Sequence, residues 1–211
     1  IVILKFPFNN QRLYGQIDLL IILFYRTVYD KSTVFADDIP YAASVFCYDG
    51  GIFVGAAPDI WFLKDTNNDG KADKEIVFAD KLHLPTGFEI SHDGIYVAQG
   101  NHLLRLQDTN GDDKADVREI ILSGFDDHDT HHVISAFCAD PSGAIYMGEG
   151  TFLHSNIETA HGPIRSSNGG FFRYSPQRNH LERTARLSIP NPWGTAFDRF
   201  GQPFFLETSD P

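Results

Sequence analysis

Cysteine is nearly absent: Cys47 and Cys138 are the only two in 211 residues. That excludes a small disulfide-stapled scaffold, and the chain holds no Cys-x-x-Cys-His haem attachment site. Cationic residues are also few, 17 Lys and Arg against 28 Asp and Glu. The net charge of -11 argues against nucleic acid or an anionic membrane surface as partner, because cationic faces bind both. Long apolar runs are missing as well. Leu19–Tyr25 (LLIILFY), closed by Asp18 and Arg26, is far shorter than the roughly 20 residues of a membrane-spanning helix, so no transmembrane span is expected. No basic start followed by an apolar stretch and small-residue cleavage site marks a signal peptide.

What is present is periodic. Asp65-Thr-Asn-Asn-Asp-Gly-Lys-Ala-Asp73 returns as Asp108-Thr-Asn-Gly-Asp-Asp-Lys-Ala-Asp116. A repeat in the low forties among short β-type runs is the spacing of four-stranded propeller blades. A second phrase, an apolar run, a tight turn and a β-branched or aromatic run, occurs at 41–55, 85–98, 133–148 and 192–205. This is a hairpin signature, and a further hairpin around each Asp-rich loop completes a blade of strands A to D. The expected fold is all-β, a propeller of four-stranded blades. Three nearly complete blades, at 42–78, 86–122 and 133–188, are followed by the start of a fourth. Residues 33–36, followed by Asp37-Asp38, read as the last strand of an earlier blade. The chain is expected to be three to four blades of a larger ring, with 31–211 as the partial propeller and 1–30 as an atypical, unplaced segment.

The Asp loops are a candidate metal site. Carboxylates at positions 1, 5 and 9, an amide at 3 and a carbonyl at 7 form a hard oxygen set of the kind calcium prefers. In the first loop these are Asp65, Asn67, Asp69, the Lys71 carbonyl and Asp73. In the second they are Asp108, Asn110, Asp112, the Lys114 carbonyl and Asp116, with Asp113 in place of the turn glycine. The competing reading is a pair of Asx-rich hairpin turns that need no metal. The two cysteines, each after a Phe in strand A of non-adjacent blades, read as buried free thiols.

Up-and-down blade topology places the Asp loops, His92 and His180 on one face. His83, His102, His128, His131, His132, His154 and His161 fall on the other. That second face carries the long insertion 148–170, with Glu149, His154, Glu158, His161 and Arg165, and loops of this length are commonly functional. His131-His132, at the start of an innermost strand, can supply a base near neutral pH. Glu149, at the end of strand B, is a candidate polar group beside the channel. Asn191 and Trp193 offer an amide and an aromatic platform for a sugar or flat ring.

The phrases Asp129-Thr-His-His-Val-Ile-Ser-Ala-Phe137, Tyr146-Met-Gly-Glu-Gly-Thr-Phe-Leu-His154, Asn168-Gly-Gly-Phe-Phe-Arg-Tyr174 and Ile189-Pro-Asn-Pro-Trp-Gly-Thr-Ala-Phe197 carry a resemblance. Over 31–211 the chain resembles the propeller of the planctomycete-type membrane-bound dehydrogenases, and more distantly the quinoprotein glucose/sorbosone dehydrogenases. The resemblance implies a six-bladed ring when complete, with pyrroloquinoline quinone and calcium as cofactors. It also implies a periplasmic or envelope location and a cytochrome-type electron acceptor in the same full-length protein. His131 or His132 would take the hydroxyl proton of a sugar or polyol substrate. Arg165 would assist at the quinone, and Glu149, His154, Asn191 and Trp193 would line the substrate site. Two alternatives stand beside this oxidoreductase: a non-catalytic glycan- or protein-binding propeller with structural calcium, and, ranked last, a calcium-dependent lactonase-type hydrolase. The last needs several carboxylate or amide ligands at the channel mouth, for which Glu149 and Asn191 are the candidates.

Overall fold

The computed structural model describes residues 17–21, 33–187 and 189–207. In chain order the strands are β1 (Ile17–Ile21), β2 (Thr33–Ile39), β3 (Ala42–Tyr48), β4 (Gly51–Ala56), β5 (Asp59–Lys64), β6 (Lys74–Ala79), β7 (Phe88–Ser91), β8 (Gly94–Gln99) and β9 (His102–Gln107). They continue with β10 (Val117–Ser123), β11 (Ser135–Ala139), β12 (Ile145–Glu149), β13 (Asn156–Ile157), β14 (Ile164–Arg165), β15 (Gly170–Ser175), β16 (His180–Ala185), β17 (Pro192–Phe197) and β18 (Pro203–Glu207). The chain divides into two compact units, one reaching residue 82 and including 112–114, the other formed by 83–111 and 115 onward. No helix among the described residues is long and apolar enough to cross a membrane.

In the first unit β1 pairs with β2, and β3-β4-β5-β6 form an antiparallel sheet in simple up-and-down order. Its second strand, β4, is buried at every position. This is why it reads as a continuous apolar run rather than an alternating one. Phe35, Ile39, Ile52, Val54 and Leu63 share one core cluster, and each such buried side chain contributes about 1.5–3 kcal/mol of hydrophobic stabilisation. Phe53 stacks on Phe62 at 4.2 Å and meets the edge of Phe78 at 5.1 Å.

The second unit holds two further four-stranded sheets, β7-β8-β9-β10 and β11-β12-β15-β16, with the small hairpin β13-β14 and the pair β17-β18. The three sheets match the expected blades. Aligned by register, they carry equivalent cross-strand rows: Glu89–Tyr96–Arg105–Glu119, Cys138–Tyr146–Arg173–Glu182 and, in the first unit, Phe46–Phe53–Phe62–Ile76. In the second unit each row is pinned by ion pairs from an A–B turn. Arg105 bridges Asp93 at 2.8 Å and Glu119 at 2.5 Å, and Arg173 bridges Asp140 at 2.8 Å and Glu182 at 3.1 Å. Tyr96 of the first row joins Leu103, Phe125, Ile134, Ile145, Met147, Phe172 and Tyr174 in one core cluster.

Glu89 joins the two blades. It is 5% exposed, and its carboxylate accepts the N–H of Ala139 on β11 at 2.8 Å and its neighbour Ile90's at 3.0 Å. Burial raises its pKa despite those two bonds. The cysteines depart from expectation: Cys47 is exposed and Cys138 half-buried, both free. Each lies on the first strand of its sheet, which has a strand neighbour on one side only.

Candidate functional site

The segment between β10 and β11 is anchored at both ends by apolar side chains. Phe125 is 3% exposed, and Val133 and Ile134 are fully buried. The polar run Asp126–His132 is held between them as a tight loop, closed by the His132 N–H donating to the Asp129 carbonyl at 3.0 Å. Gly150 N–H donates to the His132 carbonyl at 2.9 Å, tying the loop to the end of β12. Only glycine fits there. A Cβ on Gly150 would lie 2.6 Å from the Pro190 oxygen and 2.7 Å from the His132 ring.

One carboxylate organises the loop. Asp129 Oδ1 lies 2.6 Å from His131 Nδ1, and Oδ2 lies 3.1 Å from His132 Nδ1. The two rings sit 3.9 Å apart at 39°. His131 is 70% exposed and His132 only 6%. The buried ring is held on its far side too, with Nε2 3.3 Å from Asn191 Oδ1. Asn191 in turn donates its backbone N–H to Glu207 on β18 at 3.3 Å. Phe152 lies 5.9 Å from the His132 ring. It is exposed and holds φ at 72°, a conformation that costs a non-glycine residue and clusters at functional sites. Trp193, on β17, is exposed.

Of the residues singled out from sequence, the structure brings together His131, His132 and Asn191. Glu149 is a correction: it is fully buried rather than lining a surface. Its carboxylate accepts a short hydrogen bond from Ser155, whose Oγ also accepts the Asp126 N–H at 2.8 Å. Burial raises its pKa, opposed by Ser155 and Ser166 and by the charge of Arg183. Its place is inside the insertion, where it locks residues 150–169 against the Asp126 loop.

Arg165 lies within hairpin β13–β14, its Nε donating to Asn156 Oδ1 at 2.9 Å. His154 is exposed, with Nδ1 3.1 Å from Ser167 Oγ and its N–H on Asp126 Oδ2 at 2.7 Å. His161 also moves. The insertion hairpin pairs along the end of β10 through Ser123 and Glu158, and its tip sets the His161 ring 5.2 Å from His180. The sorting of His161 and His180 onto opposite faces therefore fails, because strand pairing rather than loop order sets the hairpin's course. Asp129 and Phe152 were missed as site residues. The carboxylate two and three residues before a His doublet was the available signal for the first.

The two Asp loops share hydrogen bonds at positions 5 and 9 and differ in which turn amide position 1 accepts. Position 1 accepts turn amides: Gly70 N–H on Asp65 at 2.9 Å, Gly111 N–H on Asp108 at 2.7 Å. At position 5, Asp69 accepts the Lys71 N–H at 2.9 Å and Asp112 accepts the Lys114 N–H at 3.0 Å. Position 9 turns to the Thr at position 2: Asp73 accepts Thr66 N–H and Oγ1–H, and Asp116 does the same with Thr109. Those bonds hold the Asp73 carboxyl below its usual range. The ninth-position carboxylates thus act as latches, and neither loop draws three carboxylates within mutual ligating distance among the described residues. Asp65 Oδ1 is buried with no hydrogen-bond partner, which suits it to a cation. Asp113, at φ 67°, uses its place to pair with Lys64 at 3.4 Å and Lys74 at 3.2 Å.

A family model described as a domain of unknown function (DUF7133) matches residues 25–76 and 63–211. The chain belongs to that family. Among solved structures, the family member is similar to the crystal structure of a presumed gluconolactonase, at TM-score 0.57 and 15% identity, covering 82% of this chain and 58% of that one. The chain therefore spans little more than half of that relative's length. Together with the three up-and-down sheets, the likeness establishes a β-propeller of four-stranded blades. No curated protein matches.

Proposed function

We propose that the Asp129–His131–His132 loop is the reaction centre of a hydrolase opening a sugar lactone or similar cyclic ester. The observation that carries the reading is the single carboxylate engaging Nδ1 of both imidazoles, one buried and one open to solvent. With its Nδ1 proton held by Asp129, neutral His131 turns an unshared pair at Nε2 outward. That pair can take a proton from a water attacking a carbonyl, while Asp129 stabilises the imidazolium that forms. Exposed Phe152 and Trp193 offer apolar surfaces of the kind that cover the C–H face of a sugar ring. The fold shared with a presumed gluconolactonase supports the substrate class by analogy alone.

Oxidation of a sugar hydroxyl by pyrroloquinoline quinone would use the same base. A quinone bearing several carboxylates calls for cationic partners, and Arg165, assigned that part by resemblance, lies on the insertion hairpin with its Nε on Asn156 rather than on any residue of the Asp129–His132 loop. For this reason hydrolysis ranks first. The test is glucono-δ-lactone hydrolysis followed in a pH-stat. Wild-type turnover that falls by about 10²–10⁴-fold in His131→Ala and Asp129→Asn is expected, the usual share of a positioned base. Quinone-dependent dye reduction with glucose, and no lactone turnover, would overturn it in favour of the oxidoreductase.

A further inference from the structure

We propose that the same loop is a metal site, in which His131 Nδ1, His132 Nδ1 and the Asp129 carboxylate hold one divalent cation of the zinc class. Its solvent-facing position would stay open. The inference rests on the reading above only for what the cation would activate, not for binding.

Three observations carry it. First, the donor atoms already converge: one atom from each residue lies within 4.8 Å of the other two, a grouping found at no other His, Cys, Asp or Glu cluster among the described residues. Second, the convergence is built rather than a chance of surface side chains. His132 is 6% exposed, wedged against Gly150 where no Cβ fits, and its backbone is tied on both sides.

Third, the far side of His132 suits a metal ligand better than a free base. If Nδ1 carries the proton toward Asp129, the unshared pair at Nε2 faces the Asn191 carbonyl oxygen at 3.3 Å, acceptor against acceptor. If a cation takes Nδ1, the proton sits on Nε2 and donates to Asn191. Metal-bound histidines characteristically donate their other ring N–H to such a carbonyl or carboxylate. On binding, each neutral imidazole gives up the Nδ1 proton and holds one at Nε2, so neither loses charge.

Two imidazoles and one carboxylate select a borderline first-row cation over calcium, which prefers all-oxygen sets. Three protein ligands with exposed His131 at the rim match the open pattern of reactive rather than structural zinc sites. In that state the bound cation, not His131 Nε2, would activate water.

The experiment is equilibrium dialysis of the full chain against Zn²⁺, with visible absorption of added Co²⁺ reporting the ligand field and Ca²⁺ as a competitor. One equivalent resisting excess Ca²⁺ is expected, weakened at least about 100-fold in His131→Ala and Asp129→Ala, and about 10-fold or more in Asn191→Ala, as for outer-shell partners. His131 is exposed, so its variant should fold; thermal unfolding checks this. His161→Ala controls for the His161–His180 pair and should bind normally. Binding that survives both His131→Ala and Asp129→Ala, or no Zn²⁺ binding in the folded wild type, overturns the proposal. Lactone turnover untouched by chelation, in a folded protein that binds no Zn²⁺, would reject the metal while leaving the proposed hydrolysis standing. A Zn²⁺ site lost in the variants, in a protein that opens no lactone, would uphold the metal and reject the hydrolysis.

Discussion

Between β8 and β9 the chain turns through Gly100–Asn101; between β12 and β15 the equivalent connection runs through residues 150–169. The frames on either side are alike, with Tyr96 and Tyr146, Arg105 and Arg173, and Glu119 and Glu182 in matching rows. At the end of the second strand, however, the first sheet has Gln99, whose side-chain oxygen accepts the His83 N–H at 2.8 Å, and the other has buried Glu149. A two-residue turn leaves a blade that only packs. The long connection brings Ser155 to a buried carboxylate, Gly150 against His132 and Phe152 over its ring. The difference teaches that the site is an elaboration of one blade, paid for with buried polar groups that the plain blade does not need.

The sharpest way to break the comparison is to ask whether the insertion is an appendage. Ile157, on its hairpin, is fully buried in the same core cluster as Leu103 of the plain blade. Ile157→Ala and Leu103→Ala should therefore each cost about 2–5 kcal/mol in urea unfolding. A near-zero loss for Ile157→Ala would show the insertion to be separable. Next in size is Gly150→Ala, where the new Cβ must displace Pro190 or His132. A loss of about 1–3 kcal/mol by urea unfolding is expected, the usual toll of overpacking, together with loss of lactone turnover.

Glu149→Gln sharpens the comparison through pH. Burial holds the Glu149 pKa above its ordinary 4.5, so the folded chain binds that proton more tightly than the unfolded chain. Its contribution is full below the unfolded value and declines as pH rises through the window up to the folded one. The glutamine variant, which can still accept from Ser155, should lose that slope in denaturant titrations run upward from pH 4.5. An unchanged slope would place the buried charge elsewhere. The smallest effect concerns His128 and Asp126. Their hydrogen bond raises the imidazole pKa and, against burial, lowers the carboxyl pKa. His128→Ala should slightly reduce stability only in the window above the Asp126 transition and below the His128 one. NMR titration of the His128 ring in wild type and Asp126→Asn would check it, the latter titrating lower.

Much of the scaffold was legible before any coordinates. Short apolar runs flanking tight turns, with Asx-rich loops recurring in the forties, gave blade boundaries that hold to within a few residues, because each sheet closes locally on its own hairpins. The site was legible only in part. His131, His132 and Asn191 stood out as chemistry-bearing types, and blade topology brought them together. Glu149 misled because its burial depends on how the following connection folds back over the end of β12, bringing Ser155 onto its carboxylate. Arg165 and His161 misled because the insertion folds into a hairpin along β10, a pairing its loop-like composition does not announce. The Asp loops read as cation cages by ligand type, yet hydroxyls and amides within each loop claim most of their carboxylate oxygens.

The account stands or falls on Asp129, the carboxylate that joins the two imidazoles. The most direct measurement is the initial rate of glucono-δ-lactone hydrolysis in wild type, Asp129→Asn and His154→Ala, at equal folded concentration. Loss of at least about 100-fold in Asp129→Asn, with His154→Ala within a few-fold of wild type, is the predicted result for a dyad that sets the base. Equal rates in wild type and Asp129→Asn would contradict it and move the chemistry away from this loop.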